Sequence, residues 1–314
     1  MSARALNPTA AGGAGGVQNK NNNHGYGYGT LTSSSSSSQN NTPNQMEDAV
    51  LPGGNGGAAG KSSGKRSWDW RYWRHRVWAE IDTTHVDVPL LVTCFCAGLT
   101  DSTVYNAFST FVSMQTGNTI FIALGASGQN SKPYGWVRSL TSLLSFICGS
   151  FFFSRIVNKL GARRRFTLLL SYVLQSCFVV IAASLAQSGV IDGSVPQPPN
   201  PQGTPRWNEL GPIALLSFQG AAQIVVSRGV GLNEVPTLVL TSLLCDLFSD
   251  PRLAAPLSAN AKRNRRVIAF VLTLLGAIAG GWISKETGGI MCALWLVAAI
   301  KFVVAVCWVW FPAL

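Results

Sequence analysis

The chain is 314 residues long, with 47% hydrophobic and 12% charged residues, a net charge of +11 and a sequence pI near 9.6. Such an excess of base would suit nucleic acid on a folded polar surface, but here Lys and Arg sit before and between long apolar runs, which excludes a nucleic-acid partner and points to a lipid bilayer. All seven cysteines lie inside apolar stretches and all three histidines precede the first long run, which argues against a disulfide framework, a His-based triad or haem ligation at membrane depth.

In chain order, residues 1–64 are rich in Gly, Asn and Ser and are expected to be a disordered tail. They carry no apolar h-region, so they are read neither as a signal peptide nor as a span. Residues 65–87 form a basic aromatic juxtamembrane collar, opening with KRSWDWRYWRHRVW at 65–78, whose rings suit headgroup depth and whose Arg66, Arg71, Arg74 and Arg76 suit anionic lipid headgroups.

Apolar runs follow at 89–111, 139–157, 166–186, 210–226, 267–283 and 290–311, each near the roughly 20 residues of a spanning helix. Two further runs, 119–125 and 235–248, are too short to cross and follow polar breaks: Gln115, Thr116, Gly117 and Asn118 in one case, 229–234 in the other. Pro236 is placed to open the second short helix, since proline at a first helical position loses no internal bond.

Charge decides how these segments are counted. The connections 158–165 and 250–266 are strongly basic, whereas the Pro-rich loop 187–209 holds only Arg206. Six full spans with two re-entrant half-helices put the collar and both basic connections on the cytoplasmic side, with cytoplasmic termini and a non-cytoplasmic 187–209 loop. The fold class expected is therefore an all-α polytopic membrane protein, with a first membrane repeat at 88–186 and a second at 210–314. Each half shows a glycine-containing span, a polar break, a short segment and another glycine-containing span. Three spans per half is odd, so the halves enter from opposite sides as a 3+3 inverted repeat.

The stretch Gly98-Leu99-Thr100-Asp101 with Phe111-Val112-Ser113-Met114-Gln115-Thr116-Gly117-Asn118 resembles the G-x-x-D … F-x-x-x-x-T-G-N signature of YoaK-type small membrane proteins, a family of unknown function found in bacteria and fungi. Gly220, Gln223, Pro236-Thr237 and Thr241 are similar to its G-x-Q-N … P-T-x-x-x-T-G block, with departures at Gln223 and at Ser242, where glycine is expected. The likeness spans about 85–311 and implies a multi-span integral membrane protein with small-molecule permeation suspected.

Broken backbone at membrane depth is tolerated only when buried in protein or lining a watery cavity. The candidate solute-contacting residues are Asp101, Thr116, Gly117, Asn118, Gln219, Gln223 and Thr241, with Gly98 and Gly117 allowing close backbone approach. Asp101 stands out as an intramembrane carboxylate, open to proton coupling, cation binding or pairing with Lys301. Asp246 is a weaker candidate, and Asn106 and Gln175 line the cavity or bond between helices. The competing reading is that these polar groups only satisfy one another and the broken backbone. The expected function is transport of a small polar solute, against the alternative of a non-transporting membrane scaffold. With no paired carboxylates or metal-ligand spacing in the spans, neither enzymatic activity nor a cofactor is expected.

Overall fold

A computed structural model describes residues 76–129, 134–198, 206–232 and 234–312. The tail 1–64, Arg66, Arg71 and Arg74 lie outside the described residues. Among those described, the chain has eight long or half-length α-helices and no strand, α1 Asp87–Phe108, α2 Gln115–Ala126, α3 Gly135–Leu160, α4 Arg165–Gln187, α5 Leu210–Val230, α6 Leu240–Phe248, α7 Ala261–Thr287 and α8 Met291–Trp310, besides single 3-10 turns at Trp207–Glu209 and Leu257–Ala259 and a helical turn at 76–78.

Six of these are long and apolar enough to cross a membrane, with mean hydropathy from 1.3 to 2.4. At 1.5 Å per residue, α8, the shortest at 20 residues, still reaches about 30 Å. By the same rise, α2 with 12 residues and α6 with 9 fall far short.

Hydrogen bonds sort the helix ends into two rims. On the first, Ile81 N–H donates to Arg163 O at 3.0 Å, Arg163 Nε to Val230 O at 3.3 Å and Asp82 N–H to Pro312 O at 3.1 Å, while Arg265 pairs with Asp87 at 2.9 Å. The starts of α1, α4 and α7 and the ends of α3, α5 and α8 are thereby gathered together. On the second, Arg138 reaches Phe108 O and pairs with Glu209 at 2.6 Å, Trp295 Nε1 donates to Gln187 Oε1, and Ile290 N–H donates to Gly193 O.

α1 and α7 therefore run parallel, as do α3 and α5, while α4 and α8 pack antiparallel. Glycines set how closely the parallel pairs approach. A Cβ on Gly98 would collide with Thr273 O, one on Gly276 with Phe95 O, and one on Gly149 would sit 2.7 Å from Phe218 O. Small residues at such crossings let backbones touch, which is the packing available when lipid is as apolar as the side chains.

α1 is the most enclosed span, 72% buried, and α5 follows at 61%, whereas α3 and α7 at 22% present most of their surface outward. The core has two apolar halves. One, near the first rim, centres on Leu90, Cys94, Leu168, Tyr172 and Trp308. The other, near the second, centres on Leu99, Phe108, Val179, Ile213 and Val297.

One boundary agrees with the sequence reading and one differs. α2 begins at Gln115, so Thr116, Gly117 and Asn118 open the short helix within its first turn. α6 begins only at Leu240, and Pro236 does not open it: Thr237 has a φ of 38°, and that left-handed residue stops a helix from propagating out of Pro236.

Candidate functional site

α1 ends at Phe108 because Ser109 takes a left-handed φ of 53°, its N–H closing on Tyr105 O at 2.8 Å. The chain then turns back inward. Asp101, seven residues or roughly 10 Å before the helix end, receives it: Oδ1 accepts the N–H groups of Val112 at 2.9 Å and Ser113 at 3.0 Å, and Oδ2 accepts the Ser113 hydroxyl. A carboxylate is acceptor-only, which suits it to a backbone that has lost its helical partners.

Asn118 does the complementary work for Phe111. Its Oδ1 accepts Phe111 N–H at 3.1 Å and Thr110 Oγ1 at 2.9 Å; its Nδ2 donates to Phe111 O at 2.8 Å, Gln115 Oε1 at 3.0 Å and Ser142 Oγ at 2.9 Å. Gln115 Nε2 satisfies Val112 O at 3.1 Å, and Ser217 on α5 donates to Ser142 at 2.8 Å, tying the break to α3 and α5. The second break is held more sparely. Ser227 Oγ donates to Val235 O at 2.9 Å, and Thr237, though buried, keeps its hydroxyl without a partner among the described residues.

The tips of the two breaks meet. Phe111, Ser113 and Met114 from one, with Thr237, Leu238 and Leu240 from the other, close a cavity of about 360 Å³ against α1 and α7, where Asp101, Ser102, Asn106 and Thr273 supply its polar groups.

Of the sequence candidates, only Asp101 lines this cavity, joined by Asn106 and by Gly98. Asn118 is fully buried with its amide spent on the break. Gly117 lies 2.9 Å, as measured from an added Cβ, from the Phe111 ring. Thr116 and Thr241 are exposed and stand apart from it. Asp246 pairs across the first rim with Arg266 at 3.9 Å.

Gln223 belongs elsewhere. Its Oε1 accepts Lys301 Nζ at 2.7 Å and its Nε2 donates to Thr93 O at 3.1 Å, while Gln175 Oε1 accepts the same ammonium at 2.8 Å. Lys301 is therefore not the partner of Asp101. Gln219, one turn along α5, is buried with Oε1 unpartnered. Ser113 and Thr237 fall inside the family-like motifs but carry no solute role there, and Thr273 is singled out by no sequence argument, because threonine in an apolar run carries no positional signal until the tips are brought together.

An all-α bundle of six spans, with two short helices dipping from opposite rims to a shared cavity, defines an integral, multi-pass membrane protein. The chain belongs to the family described as a protein of unknown function, DUF1275, whose model matches residues 90–307. No curated protein and no solved structure matches it.

Proposed function

We propose that the protein is a transporter for a small polar solute, with the solute held between the two break tips beside Asp101, and that it is not an enzyme. The observation carrying this reading is the convergence of both breaks and a buried carboxylate on one cavity. Irregular backbone at membrane depth is otherwise a cost of several kcal/mol per unsatisfied group.

The packing supports a 3+3 inverted repeat. Exchanging α1–α4 for α5–α8 maps the α1/α7 pair onto α5/α3 and α4/α8 onto itself, and it matches burials of 72% with 61%, 22% with 22% and 44% with 44%. Such a repeat rocks one half against the other around a central site. The basic first rim, with Arg163, Arg164, Arg165, Arg265 and Arg266, faces the cytoplasm together with both termini, and Arg76, seated over the Trp310 ring at 5.6 Å, meets anionic headgroups there. The Thr-Gly-Asn turn is the element that supports the YoaK-type likeness.

The test is ligand stabilisation of the purified full chain across a panel of small polar solutes, followed by uptake of any binder into proteoliposomes. Binding raises the melting temperature in proportion to occupancy. Thr237→Val and Asn106→Leu should abolish both binding and uptake without unfolding the protein. If no solute stabilises the chain and none is taken up, the scaffold reading replaces transport.

A further inference from the structure

Between the two apolar halves of the core lies a polar layer that the cavity does not use. Lys301 sits midway along α8, 1% exposed, with its ammonium donating to Gln175 on α4 and Gln223 on α5. Gln223 in turn grips Thr93 O on α1, so one lysine joins four helices. Among the described residues, no carboxylate answers its charge. Asp101 is spent on Val112 and Ser113, the ionisable groups around Lys301 are Cys96 on α1 and, beside it, Tyr172 on α4 and Cys94 on α1, α5 brings only Gln219 and Gln223, and α7 carries no ionisable side chain from 267 to 284.

A second observation marks a route. Thr167, Ser171 and Gln175 are spaced by four on α4 and so share one face, running inward from the first rim at Arg165 to the Lys301 ammonium. All three are fully buried, and Thr167 Oγ1, Ser171 Oγ and Gln175 Nε2 have no partner among the described residues. Helical serines and threonines at this depth usually turn back on their own helix, as Thr93 does to Leu90 O at 2.7 Å and Thr100 to Cys96 O at 2.7 Å. A row of buried hydrogen-bonding groups that does not do so is a row that water completes, since internal water binds where buried polar groups lack other partners.

We propose that Lys301 is a proton-binding site that exchanges with the first rim along the Thr167, Ser171 and Gln175 face of α4, which makes the proton the coupling ion of the transporter inferred above. This last step rests on that reading; the site itself does not. In the exchange, an N–H bond of the Lys301 ammonium breaks, its electron pair stays on nitrogen as the amine lone pair, and the proton passes to water at Gln175 and on to the first rim. The charged form holds its glutamines more tightly, because hydrogen bonds from an ionised donor are roughly twice as strong as neutral ones. Losing the proton therefore loosens α5 from α4 and α8.

The experiment needs no solute. Proteoliposomes of the full chain are adsorbed on a solid-supported membrane and exposed to an alkaline pH step, and the capacitive current is recorded. The native protein and Lys285→Met, at the second rim, should give a transient; Lys301→Met and Lys301→Arg should lose it, the arginine keeping the charge without releasing a proton. Thr167→Val with Ser171→Ala should slow it. A transient unchanged in Lys301→Arg, or absent from the native protein, overturns the proposal. Should both Lys301 variants fail to fold, the Thr167→Val, Ser171→Ala protein decides alone: a slowed transient supports the route and an unchanged one overturns it. A transient that persists in a protein showing no solute uptake ends the transport reading and leaves the proton site standing.

Discussion

Asn118 makes five hydrogen bonds from one side chain, two of them to the Phe111 N–H and C=O that a helix or sheet would otherwise satisfy. Asn118→Ala would leave Phe111 N–H without its partner, while Phe111 O keeps the Ser142 hydroxyl at 2.8 Å. The orphaned group should cost about 1–3 kcal/mol, read as a lowered melting temperature in detergent. Asp101→Asn can keep an oxygen for the N–H groups of Val112 and Ser113, but it puts an amide N–H where Oδ2 accepts the Ser113 hydroxyl and removes the charge that strengthens all three bonds, so it should weaken the fold as well as the site. The solute-side prediction is accordingly placed on Asn106 and Thr237. That Asp101 and Asn118 matter was legible from polar residues interrupting apolar runs. Their shared work was not, because a carboxylate bound to solute and one capping a broken backbone read alike until Val112 and Ser113 are seen to turn back eleven and twelve residues later.

At the scale of elements, the six spans follow from apolar length alone, whereas the start of α6 at Leu240 depends on the left-handed φ of Thr237, which composition does not encode. The parallel α1/α7 contact depends on Gly98 and Gly276. Gly276→Val would drive a side chain into the Phe95 carbonyl, with backbone rather than a flexible side chain in the way; overpacking of this kind costs typically 1–3 kcal/mol and more where the backbone must move. The expected outcome is loss of the monodisperse species in size-exclusion chromatography. Gly211→Ala, where an added Cβ meets nothing within 4 Å, should leave it intact. The α6–α7 connection carries a pH prediction. Asp250 is held below its ordinary value of 3.8, first by the Asn260 side chain at 3.0 Å and then by Arg252 N–H at 2.9 Å. The unfolded chain binds that proton more readily, so the contribution is complete above the usual carboxylate range and fades as pH falls through the lower folded-state value. Protease cleavage near Leu253 should rise only in that acid window, and Asp250→Asn should remove its pH dependence.

For the whole molecule, the decisive matter is how many times the chain crosses. Charge asymmetry alone argues for six crossings, and the hydrogen-bonded rims give the same count by a separate physical route: Asp82 meets Pro312, and Arg138 meets both Phe108 and Glu209. What the sequence left open was which helices pair, since parallel α1/α7 and α3/α5 contacts join residues some 180 and 70 positions apart, as between Gly98 and Ala277 or Gly149 and Ala221. Single-cysteine variants on a background freed of the native cysteines separate the counts. Thr84→Cys and Lys262→Cys should react with a membrane-impermeant maleimide from one side, and Gln129→Cys and Ser188→Cys from the other. If α2 crossed fully, Gln129→Cys would join Thr84→Cys, and the cavity between the break tips could not form. If α6 crossed, Lys262→Cys would join Ser188→Cys, which the 2.9 Å bond between Arg265 and Asp87 forbids in this fold. The expected pattern keeps both dips on their own rims, because only then do Ser113 and Thr237 reach the same depth from opposite sides and face one another beside Asp101.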